Sequence, residues 1–162
     1  MKISDIDAFI FDFDGVLTNN HVYLDKTGNE LVACSRSDGL AFDVLRKLKK
    51  PVYILSTENN KVVAARGLKL KVPVLQGVND KLSVLEKLSL DKGYDLNCIC
   101  YVGNDLNDYK AMQNCGFRVC PADSHSDIKN IASVILESKG GDGAVRELVE
   151  IHLKINFLDL LY

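Results

Sequence analysis

Residues 9–18 read Phe-Ile-Phe-Asp-Phe-Asp-Gly-Val-Leu-Thr. Phe9, Ile10, Phe11 and Phe13 supply the apolar run of a buried strand, and Gly15 lets the chain turn out of the sheet. Residues i and i+2 of a strand share a face, so Asp12 and Asp14 point together beyond its carboxyl end. Open α/β sheets bind their ligands in that crevice. Two like charges at this spacing repel unless a cation or a shared proton intervenes. The pair costs stability and therefore signals chemistry.

Outward from this stretch, apolar runs alternate with amphipathic ones. Strands are expected at 8–13, 52–56, 72–75, 98–102, 117–119 and 133–136. Helices are expected between them at 38–49, 59–68, 79–90, 106–113 and 125–131, with a last one from about 143 to 155. Asn79 is read as the cap of the third helix. This alternation implies a parallel sheet with right-handed crossovers in three α/β/α layers, a Rossmann-like fold. One segment departs from the pattern. Residues 21–24 and 30–34 read as a β-hairpin around Asp25-Lys26-Thr27-Gly28-Asn29, either a flap beside the paired aspartates or a plain surface excursion.

The 162 residues fit one domain, 1–162, with an ordinary core. A net charge of −2 gives no reason to expect nucleic acid or an acidic membrane as partner. No apolar stretch approaches the length of a membrane span. Near the N-terminus Asp5 stands where a signal peptide would carry bases, so export is not expected. Cys34, Cys98, Cys100, Cys115 and Cys120 lack zinc-ligand spacing and read as reduced core thiols of a cytoplasmic protein.

A second acidic group, Gly103-Asn104-Asp105-Leu106-Asn107-Asp108, follows the apolar run 98–102. It reaches the same sheet edge as Asp12 and Asp14. Taken alone such a turn is a capped helix start; beside the first motif, four carboxylates converge and call for a hard cation such as Mg²⁺. Ser56 ends the strand after Pro51, where its hydroxyl suits either a turn cap or a phosphate oxygen. Lys81 opens a helix, an unfavourable place for a cation unless an anion lies nearby; the alternative is a solvated surface lysine.

Asp12–Thr18, Ser56, Lys81 and Gly103–Asp108 resemble, in order, the four motifs of the haloacid dehalogenase (HAD) phosphatase superfamily. Asp38-Gly39, Gln76–Lys81, Pro121-Ala122-Asp123 and Gly140–Glu147 extend the resemblance to its capless phosphatases of 3-deoxy-ulosonic acid phosphates. The resemblance implies Asp12 as nucleophile and Asp14 as general acid and base. It implies Mg²⁺ on the Asp12 carboxylate, the Asp14 carbonyl and Asp105, with Asp108 supporting that shell and Ser56 and Lys81 holding the phosphoryl oxygens. It further implies a homotetramer with packed hairpins, the glycine-rich segment reaching a neighbour's site. The apolar tail 155–162 is expected either on a partner or on its own domain.

Substrate clues centre on Thr57-Glu58-Asn59, where relatives acting on 3-deoxy-manno-octulosonate 8-phosphate usually carry Gly-Arg. Glu58 with Lys69 resembles relatives acting on nine-carbon, neuraminate-type 9-phosphates; the plain alternative is a surface ion pair. Ser37 stands where the group commonly has a basic residue before Asp-Gly. Two other classes compete. A phosphoacceptor signalling domain uses similar residues, but its acceptor lies on a middle strand, and here that strand ends in Ser56. A non-catalytic assembly domain, of the kind fused to sialic acid cytidylyltransferases, would not need every catalytic position intact.

Overall fold

The computed structural model describes all 162 residues. Strand β1 (Ala8–Phe11) is buried at every position and forms the centre of the sheet. It is flanked by β4 (Val52–Leu55) and β6 (Ile99–Val102), and beyond them by β5 (Val74–Leu75), β7 (Phe117–Cys120) and β8 (Val134–Ile135). All pairings in the order β5-β4-β1-β6-β7-β8 are parallel. The chain winds outward from β1 first to one side and then to the other, so the strand order reverses beside β1 and β6. The crevice at their carboxyl ends is the topological switch point.

Alternation along β1 feeds two separate cores. Phe9 and Phe11 point to the larger one, with Phe42, Leu45, Val63 and Leu148. Those residues come from α1 (Arg36–Lys47), α2 (Lys61–Leu70) and the C-terminal segment. Ile10 and Tyr101 point to the opposite face, packed with Leu85, Met112 and Ile128. Here the cover is α3 (Lys81–Lys92), α4 (Tyr109–Gln113) and α5 (Ser126–Ile131). The three-layer α/β expectation therefore holds.

Several boundaries differ from the sequence reading. β1 ends at Phe11, because Phe13 already starts the tight turn in which Leu17 N–H donates to its carbonyl at 2.9 Å. The cap of α3 is Asp80, not Asn79; Asp80 accepts the N–H groups of Leu82 and Ser83, at 3.1 and 3.3 Å. The hairpin is shorter than expected, β2 (Tyr23–Leu24) with β3 (Glu30–Leu31), closed below by a bridge between Thr18 and Cys34. The helix expected from about 143 to 155 is α6 (Ala144–Glu147) continued by a π-helical turn, Leu148–His152, and then a break.

After that break α7 (Phe157–Leu161) docks on its own domain. Phe157 is buried beneath the Arg146 guanidinium, 4.2 Å from its ring centre, and Lys47 donates to the Leu160 carbonyl at 2.5 Å. The glycine-rich segment likewise lies on its own chain, against the turn after Gly15, rather than projecting away from the domain. All five cysteines are free, and no helix is long and apolar enough to cross a membrane.

Candidate active site

The β1 ladder continues one residue past the strand, where Asp12 N–H donates to the Val102 carbonyl at 2.9 Å. This pins Asp12 beside the end of β6. Its carboxylate, almost wholly buried, meets Lys81 Nζ at 2.8 Å. The same ammonium donates to Asp108 Oδ1 at 2.6 Å. Lys81 thus sits between two buried carboxylates, which answers why a lysine opens α3: its anions are Asp12 and Asp108. Removing one member of such a buried set typically costs roughly 3–5 kcal/mol.

Asp108 is fully buried and accepts four hydrogen bonds. Oδ1 takes Lys81 Nζ and the Tyr101 hydroxyl at 2.8 Å; Oδ2 takes the N–H of Asn104 at 2.9 Å and of Asp105 at 3.4 Å. It anchors the turn from behind and does not line the cavity. Burial, and then the Asp108 charge, push the Asp12 carboxyl well above the ordinary range, with Lys81 opposing the rise. In Lys81 the two carboxylates overcome the opposing effect of burial and hold the ammonium firmly charged.

Asp12, Asp14 and Asp105 line one cavity of about 310 Å³ together with Glu30, Glu58, Thr57, Asn60 and Asn104. Five carboxylates and no cation face this space. Asp14 is half-buried; burial and then the Glu58 charge raise its carboxyl above the usual range. One terminal atom of the Asn104 amide lies 3.2 Å from Asp12 Oδ2 and 2.8 Å from the Asp14 carbonyl oxygen. Left to themselves these two oxygens are satisfied when the amide turns its NH₂ to them. Gly15, at φ +78°, makes the approach possible, since a Cβ there would lie 1.9 Å from that amide.

Ser56 is buried at the end of β4, and its Oγ accepts Glu58 N–H at 3.1 Å, so its own proton is free to be donated. The N–H groups of Asp14 and Thr57, both cavity residues, have no acceptor within the protein. Glu58 lines the cavity, but Lys69 does not join it. Lys69 lies about 12 Å along α2 from that helix's first residue, at 1.5 Å per residue, in a separate basic hollow with Arg36 and Arg66. The surface ion pair offered as the plain alternative for Glu58 and Lys69 does not form within the chain.

Residues 46–148, more than half of the chain, match the family model of the haloacid dehalogenase-like hydrolases. The chain belongs to that family. It is 32% identical over 157 residues to the 3-deoxy-D-manno-octulosonate 8-phosphate phosphatase of Escherichia coli strain K12, covering 94% of this chain and 81% of the relative. Among solved structures, a HAD family hydrolase from Streptomyces avermitilis superposes with a TM-score of 0.91 at 41% identity. That match covers 93% of this chain and 86% of the other. A 3-deoxy-D-manno-octulosonate 8-phosphate phosphatase from Moraxella catarrhalis, solved with magnesium, phosphate and KDO, gives 0.89 at 30% identity, over 93% and 87% of the two chains. This HAD-like chain is a phosphoric monoester hydrolase without a cap domain.

Its donor set suits a hard cation. No three His, Cys, Asp or Glu side chains form a ready-made cage. The oxygens that converge are the Asp12 carboxylate, the Asp14 carbonyl and, when the amide presents its oxygen to them in place of its NH₂, Asn104 Oδ1. Few protein oxygens with room for water and substrate is the pattern of Mg²⁺. Asp105, expected among the ligands, borders the cavity while its Oδ1 accepts Leu106 N–H at 2.7 Å. Asn104, Tyr101 and Glu30 escaped the sequence reading. Position 104 lies inside the second acidic motif, the only signal that singles it out. Glu30 reaches the cavity from the hairpin, tied to Asn60 of the α2 cap.

Proposed function

We propose that this chain removes the terminal phosphate of a 2-keto-3-deoxy sugar acid through an aspartyl-phosphate intermediate. What carries the reading is one cavity lined by both Asp12 and Asp14, with Lys81 bonded to Asp12. An Asp12 oxygen attacks phosphorus, and the bond to the sugar oxygen breaks. Asp14, its carboxyl raised by burial, gives its proton to that leaving oxygen. Asp14 then takes a proton from water, which attacks the same phosphorus and releases phosphate and Asp12. Lys81 balances charge on Asp12, while Ser56 Oγ–H and the N–H groups of Asp14 and Thr57 hold the phosphoryl oxygens.

Mg²⁺, when bound, neutralises the phosphoryl oxygens and the nucleophile. Asp12, the Asp14 carbonyl and Asn104 would hold it, with Asp105 adding charge at the rim. The magnesium in the Moraxella catarrhalis relative supports this choice. The set of intact acid, hydroxyl and lysine positions speaks against a purely structural assembly domain. A cytoplasmic setting, with free thiols, fits the same reading.

For the sugar, Glu58 at the cavity favours a nine-carbon N-acylneuraminate- or KDN-type 9-phosphate, whose hydroxyls it would accept. Lys69 adds nothing to this within one chain. The second reading, 3-deoxy-D-manno-octulosonate 8-phosphate, is favoured by what the E. coli relative acts on. Rates of phosphate release from the two substrates, for wild type and Glu58→Arg, decide between them. The expected result is a wild-type preference for the 9-phosphate that falls about ten- to a hundredfold in the variant, the size of one lost buried hydrogen bond. A preference for the 8-phosphate, untouched by Glu58→Arg, overturns the choice of sugar.

A homotetramer is part of the proposal. Val22, Tyr23, Leu24 and Leu31 of the hairpin are each at least half exposed, an apolar patch suited to burial between copies. Sedimentation should then give about 72 kDa, four times the 18.0 kDa chain. A fully active monomer contradicts it.

A further inference from the structure

Three motifs of the sequence take no part in the chemistry above: Asp38-Gly39, Pro121-Ala122-Asp123 and Gly140–Glu147. In the fold they come together behind the turn that carries Asp14. Gly141 N–H donates to the Val16 carbonyl at 2.9 Å. A Cβ on Gly140 would lie 2.0 Å from the Gly15 carbonyl oxygen, and one on Gly141 2.5 Å from Asn19 N. Gly141 is also at φ +70°. The chain at 140–141 therefore lies backbone against backbone on residues 15–19, at a distance no other residue permits.

Both ends of this glycine strap are held by carboxylates from other elements. Asp123 Oδ1 accepts Gly140 N–H at 3.0 Å. Past the strap, the buried Asp38 accepts Arg146 N–H at 2.9 Å in the first turn of α6, whose cap residue Gly143 has no side chain to offer. On the other side of the contact stands Thr18, fully buried. Its Oγ1 accepts the N–H groups of Gly15 and Asn20, both at 3.2 Å, and approaches Asp14 Oδ1 at 3.5 Å. Whatever presses on 15–19 also sets where Asp14 stands.

We propose that the strap Gly140–Gly143, tethered by Asp123 and Asp38, is a positioning device for Asp14. The inference rests on the reading of Asp12 as nucleophile and Asp14 as acid and base. Gly140, Gly141 and Asp123 are then positioning residues, acting through the Gly15–Asn19 turn. Asp12, fixed by β6 and Lys81, does not depend on them. A shift of the Asp14 carboxyl, passed on through its contact with Thr18, harms the steps that need a proton, release of an alkyl oxygen and activation of water. A shift of the Asp14 backbone would instead loosen its phosphoryl and metal contacts and impair both esters alike.

An aryl ester separates these steps. With p-nitrophenyl phosphate the phosphoryl group passes to Asp12, and nitrophenolate leaves with the bonding electron pair and needs no proton. The experiment compares wild type, Gly140→Ala and Asp123→Ala on p-nitrophenyl phosphate by stopped flow, and on the sugar-acid phosphate that wild type hydrolyses. In Gly140→Ala, kcat for the sugar ester should fall about a hundredfold, the scale of an ångström-sized misplacement, with KM little changed. The same variant should release a burst of nearly one nitrophenolate per site, followed by slow turnover.

Asp123 is exposed, so Asp123→Ala leaves the fold intact and should show the same pattern in milder form; it decides alone if Gly140→Ala does not fold. Equal losses on both esters without a burst, or wild-type kcat in Asp123→Ala, overturn the strap's role. A wild type that cleaves neither ester overturns the reading of the site itself, and the strap's role with it.

Discussion

Asp12→Asn should leave phosphate release at least about a thousandfold below wild type, the scale on which losing a covalent nucleophile cuts turnover. The amide is nearly the same shape as the carboxylate but is a poor nucleophile. The fold should survive, because Lys81 keeps its second partner, Asp108, at 2.6 Å, and the Asp12 backbone bond to Val102 does not involve the side chain. Phosphate release measured beside far-ultraviolet circular dichroism checks both halves. Turnover above a few per cent of wild type in the folded variant removes Asp12 from its role.

Stripping the protein with a chelator should stop turnover, and Mg²⁺ should restore it while Ca²⁺ does so poorly, since Ca²⁺ accepts looser coordination than in-line transfer tolerates. The chain's own residues allow a sharper form of this expectation. Asn104 stands against Asp12 Oδ2 and the Asp14 carbonyl, whereas the Asp105 carboxylate is engaged with Leu106 N–H. Titration calorimetry with Mg²⁺ alone should therefore show Asn104→Ala weakening binding about tenfold or more, and Asp105→Asn weakening it less. The reverse ranking moves the third donor back to Asp105. Full activity in excess chelator overturns the metal altogether.

The parts of this molecule legible in its sequence are those decided locally. An apolar run ending in Asp-x-Asp-Gly is a strand leading to a site wherever the sheet lies, and β1 with Asp12 and Asp14 follows from it. Caps and turns are less determined. Asn79 and Asp80 are both good caps, and only the path of the incoming chain gives the role to Asp80. The π turn at Leu148–His152 adds a residue to one helical turn without disturbing the spacing of the buried Leu148, Val149 and Leu153, so periodicity alone reads straight through it.

The site shows the same division. That Lys81 needs an anion was readable from its position in the helix; that the anions are Asp12 and Asp108 depends on α3 packing under the β1–β6 edge. Asn104 reads as a turn residue until the parallel register of Phe11 with Val102 carries the turn after β6 alongside Asp12 and brings the Asn104 amide to its carboxylate. Glu58 and Lys69 fail as a pair for a reason of geometry, because α2 carries the lysine away from the cavity.

The central claim is that phosphoryl passes through Asp12. Wild type quenched in acid during steady turnover, digested and analysed by mass spectrometry should yield the peptide containing Asp12 carrying one phosphoryl group. Borohydride treatment of the same sample should convert that residue to homoserine. Phosphate release with Asp12 unmodified at every quench time, or with the label on Asp14 instead, contradicts the account.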